Sequence, residues 1–260
     1  MGTIEKIFCE IAENCVKNKK SKLTPRDKKK FKSPIYQKSV CNDQYIGLIR
    51  IERNNACLSQ WLNCSLSTSK NERDELNKQL LQKKEMPIFL IVLESPHKEE
   101  YESNTDDIKI PMPAMGETGK KLHLFLPKYI NRIKATIESE TISKGIGYVD
   151  IKNEIYRVLL VNAIQYQCSL GEDTVKYRTS VFCEMWRKEE VKDNFKSRID
   201  WDNVKVVLNC CTNGNKSSSI RKLIQDEIDL HAKADCVKLH SYHPSSWQEC
   251  VGIEPDGWVK

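Results

Sequence analysis

The stretch "IFLIVLESPH" (Ile88–His97) places six consecutive apolar residues directly before a polar turn. Pro87 bounds the run on one side and Pro96 on the other, and Ile88, Ile91 and Val92 are β-branched. A run this short and this apolar predicts a strand buried on both faces, as in a parallel sheet, rather than a helix. Three further runs have the same character: "YRVLLVN" (Tyr156–Asn162), "VKVVLN" (Val204–Asn209) and "DCVKLH" (Asp235–His240). Helical patterns separate them. One is "KKLHLFLPKYINRI" (Lys120–Ile133). Another is "SSSIRKLIQDEIDLHAK" (Ser217–Lys233), with Ile220, Leu223, Ile224 and Ile228 on one face. Strands alternating with helices predict an α/β domain over residues 86–260, a parallel four-stranded sheet flanked by helices.

Upstream, residues 1–85 read as an N-terminal helical and basic extension. Ile4, Ile7, Phe8, Ile11, Cys15 and Val16 fall at helical spacing. The dense basic run "KNKKSKLTPRDKKKFK" (Lys17–Lys32) follows, then a polar, cysteine-dotted region and a charged helical stretch, "NERDELNKQLLQKKE" (Asn71–Glu85). The basic run reads either as a solvated segment or as an electrostatic foothold on nucleic-acid phosphates. The 260 residues are 39% hydrophobic and 30% charged, with a net charge of +6, enough to bury a core in a polar, soluble chain. No apolar run is long enough to span a bilayer. The start, "MGTIEKIFCEIAENC", has an early Glu5 and no apolar segment, so no secretory signal is expected. Eleven cysteines, an odd number without small-scaffold spacing, argue for a reducing cytoplasm rather than a disulfide framework. A cytoplasmic monomer is expected.

The polar sequences that stand out occur at the carboxyl ends of the expected strands, where open α/β sheets hold their ligands. "ESPHKEEY" follows the first, "NAIQYQCS" includes the end of the second, and "YHPSSW" follows the last. A glycine-bearing loop, "PAMGETGKKL" (Pro113–Leu122), opens the helix between the first two. Three polar clusters at one edge of one sheet predict a site.

In order and context these segments resemble the uracil-DNA glycosylase superfamily. "LESPH" resembles the first-strand motif at Glu94, Ser95 and Pro96. "GETGKKL" resembles a Gly-x-x-Gly-x-x-Leu loop at Gly116, Gly119 and Leu122. "LLVNA" resembles a second strand ending in Asn, here Asn162, and His243, Pro244 and Ser245 match a closing His-Pro-Ser. The resemblance covers roughly Pro87 to the C-terminus and leaves the first 85 or so residues without a counterpart. It implies an enzyme that flips a nucleotide out of DNA and hydrolyses the bond between base and deoxyribose. Such a bond breaks through an oxocarbenium-like state, with negative charge growing on the base and positive charge on the sugar.

The resemblance assigns His243 as the hydrogen-bond donor to the leaving base; the plainer alternative is a turn histidine satisfied by backbone. Asn162 would read one edge of the base, or merely stabilise its turn. Glu94 would orient water or stabilise the sugar cation, or be a surface carboxylate. This chain has Ser95 where the best-known branch has Asp, and Leu93 where Gly is usual. Glu94 is therefore the first candidate for the water-activating carboxylate, with Asp106 and Asp107 in reserve. His97 is a second donor or a polar wall.

In related loops an aromatic ring stacks on the flipped base, and here Ala114 takes that place. A pocket without that ring would admit a larger base, such as the hydroxymethylated or glucosylated cytosines of bacteriophage DNA, and some anti-phage members of the superfamily excise such bases. Alternatively Tyr101 or Tyr166 supplies the ring and the base is ordinary uracil. Cys168 and Cys183 resemble the second cysteine pair of the iron–sulfur branch. Cys57 and Cys64 are too far apart for the first pair, so free thiols and no cofactor are expected. Trp247, just beyond His-Pro-Ser-Ser, would enter the duplex as a wedge filling the gap left by the flipped base, or fold back over the C-terminal segment. Two other readings stay open: a catalytically dead member that binds DNA, and an unrelated hydrolase or transferase of free nucleotides.

Overall fold

The computed structural model describes residues 2–52, 56–59, 70–101, 111–143, 154–173, 176–213, 219–247 and 258–259. The chain is α/β. Its four expected strands form as β3 (Ile88–Leu93), β4 (Glu154–Asn162), β5 (Val204–Asn209) and β6 (Val237–Ser241). They lie in the order β4-β3-β5-β6, each pair parallel.

The expectation of a four-stranded parallel sheet needs correction, because the sheet is mixed. β1 (Gln44–Ile51) pairs antiparallel with β4, and β2 (Ala56–Ser59) pairs antiparallel with β1. At the other edge β7 (Trp258–Val259) pairs antiparallel with β6, giving seven strands among the described residues. β1 reads "QYIGLIRI", an apolar run that lies within the segment expected to be an extension. The register shifts between Tyr45 and Gly47, so Ile46 is an extra residue on the β1 side of the β1–β4 ladder. A glycine next to such a bulge is expected, because the backbone bends there.

The central strands β3, β4 and β5 are buried on both faces almost throughout, and their side chains alternate between two cores. Ile88, Leu90 and Val92 of β3 enter one; Phe89, Ile91 and Leu93 enter the other. The first core is covered by α1 (Thr3–Ser21), α5 (Arg178–Trp186), α6 (Glu189–Ser197) and α7 (Ile220–His231). Their apolar stripes include Phe8 and Ala12, Val181 and Phe182, Val191 and Phe195, and Ile224 and Ile228. Ser219 caps α7 by accepting a hydrogen bond from the Lys222 N–H at 3.2 Å. The second core is covered by α4 (Glu117–Ser143) through Leu122, Phe125, Leu126, Tyr129, Ile130 and Ile133.

The boundary expected near residue 85 does not divide two cores. Phe8 of α1 packs in the same core as Leu90 of β3, while β1 joins the sheet. Two buried arginines tie α3 (Lys70–Leu81) into the domain. Arg73 donates to Gln44 Oε1 and to the Pro113 carbonyl, each at 2.9 Å. Arg157 of β4 donates to the carbonyls of Leu80 (3.1 Å) and Met86 (3.0 Å). These hydrogen bonds hold the start of β3 and the loop that enters α4. The short α2 (Pro25–Lys30) buries no side chain and carries Lys28, Lys29 and Lys30 in its last turn.

Candidate functional site

Strand order determines where this sheet can open. After β3 the chain crosses to β4 on one side; after β5 it crosses to β6 on the other. The loops leaving β3 and β5 therefore run in opposite directions and leave a crevice at the strands' carboxyl ends. A cavity of about 400 Å³ lies there. Glu94, Ser95, Pro96, His97, Asn162, His243 and Ser245 all line it. Seven residues chosen from the sequence thus share one cleft.

Glu94 is buried at the end of β3, 1% exposed. Its Oε2 accepts the Thr212 N–H at 2.7 Å, across the gap to the segment after β5. Its Oε1 pairs with the guanidinium of Arg178, the first residue of α5. Both carboxylate oxygens are therefore engaged. Asn162, also buried, ends β4. Its backbone carbonyl accepts from Arg198 at 2.9 Å, and Arg198 in turn is paired with Asp43. Its amide nitrogen lies 3.8 Å from Cys41 Sγ.

His243 is half-buried and stands at the start of a single 3-10 turn, Pro244–Ser246. Its Nδ1 accepts the Ser245 N–H at 3.4 Å and lies 2.8 Å from Ser245 Oγ. An accepting Nδ1 leaves the proton on Nε2, so the free ring nitrogen is a donor. Burial pushes the pKa of His243 down; the Glu94 carboxylate opposes this and Arg178 reinforces it. The ring is thus neutral near pH 7, a donor that carries no charge.

Several expected members lie elsewhere. Ala114 does not border the cleft: its methyl group is buried in the α4-side core, and its backbone adopts φ 56°. Gly116 also stands outside the lining. A Cβ there would meet Glu99 Oε2 at 1.6 Å, so glycine lets the Glu99 carboxylate approach and accept the Glu117 N–H at 3.0 Å. Tyr101 donates to the Ser39 carbonyl at 3.1 Å, and Tyr166 stacks on Phe8 at 4.9 Å; neither borders the cleft. No Phe, Tyr or Trp lines it among the described residues.

The wedge expected at Trp247 is corrected as well. Trp247 is 1% exposed and belongs to the α4-side core. Its Nε1–H donates to Ser241 Oγ and to the Tyr242 carbonyl, each at 3.0 Å, and its ring meets Tyr129 edge-on at 5.2 Å. Burying an indole whose N–H finds a partner is favourable, so the ring anchors the His243 turn from beneath.

Asp106, Asp107 and Cys64 fall outside the described residues. Cys57 is exposed on β2, Cys183 is half-buried on α5, and Cys168 is fully buried. Burial pushes the Cys168 thiol up to about 12, with a hydrogen bond from Ser95 opposing. Near pH 7 this thiol is therefore protonated. No three His, Cys, Asp or Glu side chains are arranged to hold a metal among the described residues.

Two lining residues carry no sequence signal of their own. Arg178 opens a helix and looks like surface charge. Glu100 stands in the strand-end cluster "ESPHKEEY" with nothing to single it out from its neighbours, yet it is 7% exposed and borders the cleft. Thr212 was findable, because it follows a strand end that the other three clusters resemble. Glu100 accepts the His97 N–H at 2.5 Å, but burial outweighs that bond and raises its pKa to about 8. The folded state therefore holds a proton that the unfolded state releases above its ordinary 4.5. Stability fully present below that value is lost as pH rises through about 8. Denaturant melts from about pH 5 to about pH 9 are expected to show a decline of several kcal/mol, which Glu100→Gln should flatten. An equally steep decline in the variant would assign the pH dependence to other groups.

Comparison with known proteins finds no matching family model, no matching curated protein and no matching solved structure.

Proposed function

We propose that the protein is a DNA glycosylase, which takes a flipped nucleotide into the cleft and hydrolyses its glycosidic bond. The observation that carries this reading is convergence: Glu94, Asn162 and His243, from the ends of three parallel strands, line one cavity. Each has a role in such a reaction. The Glu94 carboxylate stabilises positive charge growing on the sugar. The Nε2–H of His243 donates to the base as it departs with negative charge. The Asn162 amide offers a donor and an acceptor to one base edge. Arg178 and the Thr212 N–H position Glu94 for this.

The released base, in this reading, is a pyrimidine with a bulky 5-substituent. Ala114 does not supply the room, since it lies in the core. Support comes instead from the cleft itself, whose described lining has no stacking ring and whose volume of about 400 Å³ exceeds what a bare pyrimidine needs. Sites for drug-sized ligands begin at about 300 Å³. A 5-substituent points away from the edge that Asn162 would read.

The test is to incubate the protein with DNA containing uracil, 5-hydroxymethylcytosine or glucosylated cytosine. Released bases are identified by mass spectrometry and abasic sites are counted. Release of an enlarged pyrimidine with abasic sites is expected. Efficient release of uracil alone would keep the enzyme and remove the enlarged substrate.

A second reading is an inactive DNA-binding member. It is favoured by the engagement of Glu94, each of whose two oxygens already has a protein partner, Arg178 on one and the Thr212 N–H on the other. Tight binding to modified DNA with no base released from any substrate would select it.

A further inference from the structure

The cleft is a poor host for phosphates. Glu94 is matched by Arg178, but Glu99 and Glu117 add further carboxylates to its wall. A polyanion that delivers a nucleotide there needs cations beside it. They are found close by in the chain. Arg178 enters the cleft, whereas its neighbours Lys176 and Tyr177 line a second groove, between α1 and α5, of about 630 Å³. Asn14, Asn18, Lys19 and Lys22 of the α1 side complete its polar wall.

The arrangement is built rather than incidental. Tyr177 is buried, and the Lys19 ammonium lies 4.8 Å above the centre of its ring while donating to the Lys176 carbonyl at 3.0 Å. The Lys176 ammonium stands 6.0 Å from the same ring and pairs with Glu172 at 2.6 Å. Burial and the neighbouring Lys176 charge push the pKa of Lys19 down, as expected of cations crowded around one ring. An acidic group in the groove wall, Glu184, is paired with Arg187.

We propose that this groove holds the backbone phosphates of the nucleic-acid strand whose target nucleotide enters the adjacent cleft. The inference rests on the glycosylase reading for the direction of the strand, but not for its binding. Residues 176 and 178 are separated by at most about 7 Å of chain. That is about two nucleotide rises of one strand, measured along the axis of a duplex. A strand lying across Tyr177 meets lysines on one side and the cleft mouth on the other. This divides the basic run: Lys19 and Lys22 belong to the groove, whereas Lys28, Lys29 and Lys30 lie on α2, which buries nothing.

The test is fluorescence anisotropy of a labelled, unmodified duplex against the full-length protein across a series of salt concentrations. The triple variant Lys19→Ala/Lys22→Ala/Lys176→Ala is expected to bind more weakly. Its plot of log affinity against log salt should be shallower by about 0.9 for each phosphate that the variant no longer neutralises. Lys28→Ala/Lys29→Ala/Lys30→Ala should change the slope less. Because Lys22 is exposed, Lys22→Glu alone serves as a variant that leaves the core intact, and it should weaken binding in the same direction. An unchanged slope in the triple variant, or an equal change in the α2 variant, would overturn the proposal. So would an unaltered duplex affinity accompanied by weakened binding to phosphatidylserine vesicles, which would make the groove a membrane-binding surface. The assay reads no base release, so an inactive protein with the expected slopes would overturn the glycosylase reading and leave this one standing.

Discussion

Glu94→Gln is expected to slow base release by about a thousandfold, on the scale of removing one preorganised electrostatic interaction or one acid–base group. The substitution keeps the shape and one acceptor for the Thr212 N–H, and removes the negative charge that faces the developing sugar cation. It also leaves Arg178 without its partner. Removing one member of a buried pair costs about 3–5 kcal/mol when the survivor is trapped. Arg178 is only partly buried, its side chain 22% exposed, so the cost is expected to fall below that range. The variant is therefore expected to melt only slightly below the native protein. Single-turnover release of the preferred base, measured below both melting temperatures, is the check. His243→Ala should give a comparable loss, because the departing base then has no Nε2–H to receive. Full activity in either folded variant would take that residue out of the mechanism.

Trp247→Ala is expected to have a large effect of another kind. The residue is 1% exposed, so truncation opens a cavity in the α4-side core and costs about 3–5 kcal/mol. It also leaves Ser241 Oγ and the Tyr242 carbonyl without their indole donor. For a chain of this size each kcal/mol lowers the melting temperature by about 2–4 °C. A drop of roughly ten degrees should therefore appear in a thermal melt. Because the indole supports the turn that presents His243, release should fall equally on duplex and single-stranded substrates. An unchanged melt with a loss confined to duplex would restore the wedge.

The parallel core was legible because burial on both faces leaves a signature that does not depend on partners. "IFLIVL" contains no polar residue, and neither face of β3 meets water. β1 is almost as apolar, but its sequence lies before the βα alternation begins and gives no indication of antiparallel pairing with β4. Strand direction in a mixed sheet is a long-range property, and Gln44–Ile51 finds its partner more than a hundred residues away. The cleft was legible to the extent that strand ends were: Glu94, Asn162 and His243 follow or end apolar runs, and position at a strand end is a local fact.

Trp247 and Ala114 depart from expectation for one shared reason. Their sequence neighbours indicate the right turn but not the direction in which the side chain leaves it. By itself the sequence determined the four parallel strands and which polar residues gather at their carboxyl edge, because periodicity and burial are written into consecutive residues. Only the tertiary structure decided which side chains face the cleft, the core or the neighbouring groove. That choice depends on strand order and on the packing of α4 and α5, which bring together residues such as Glu94 and Arg178 that are far apart in the chain and carry no mark of each other.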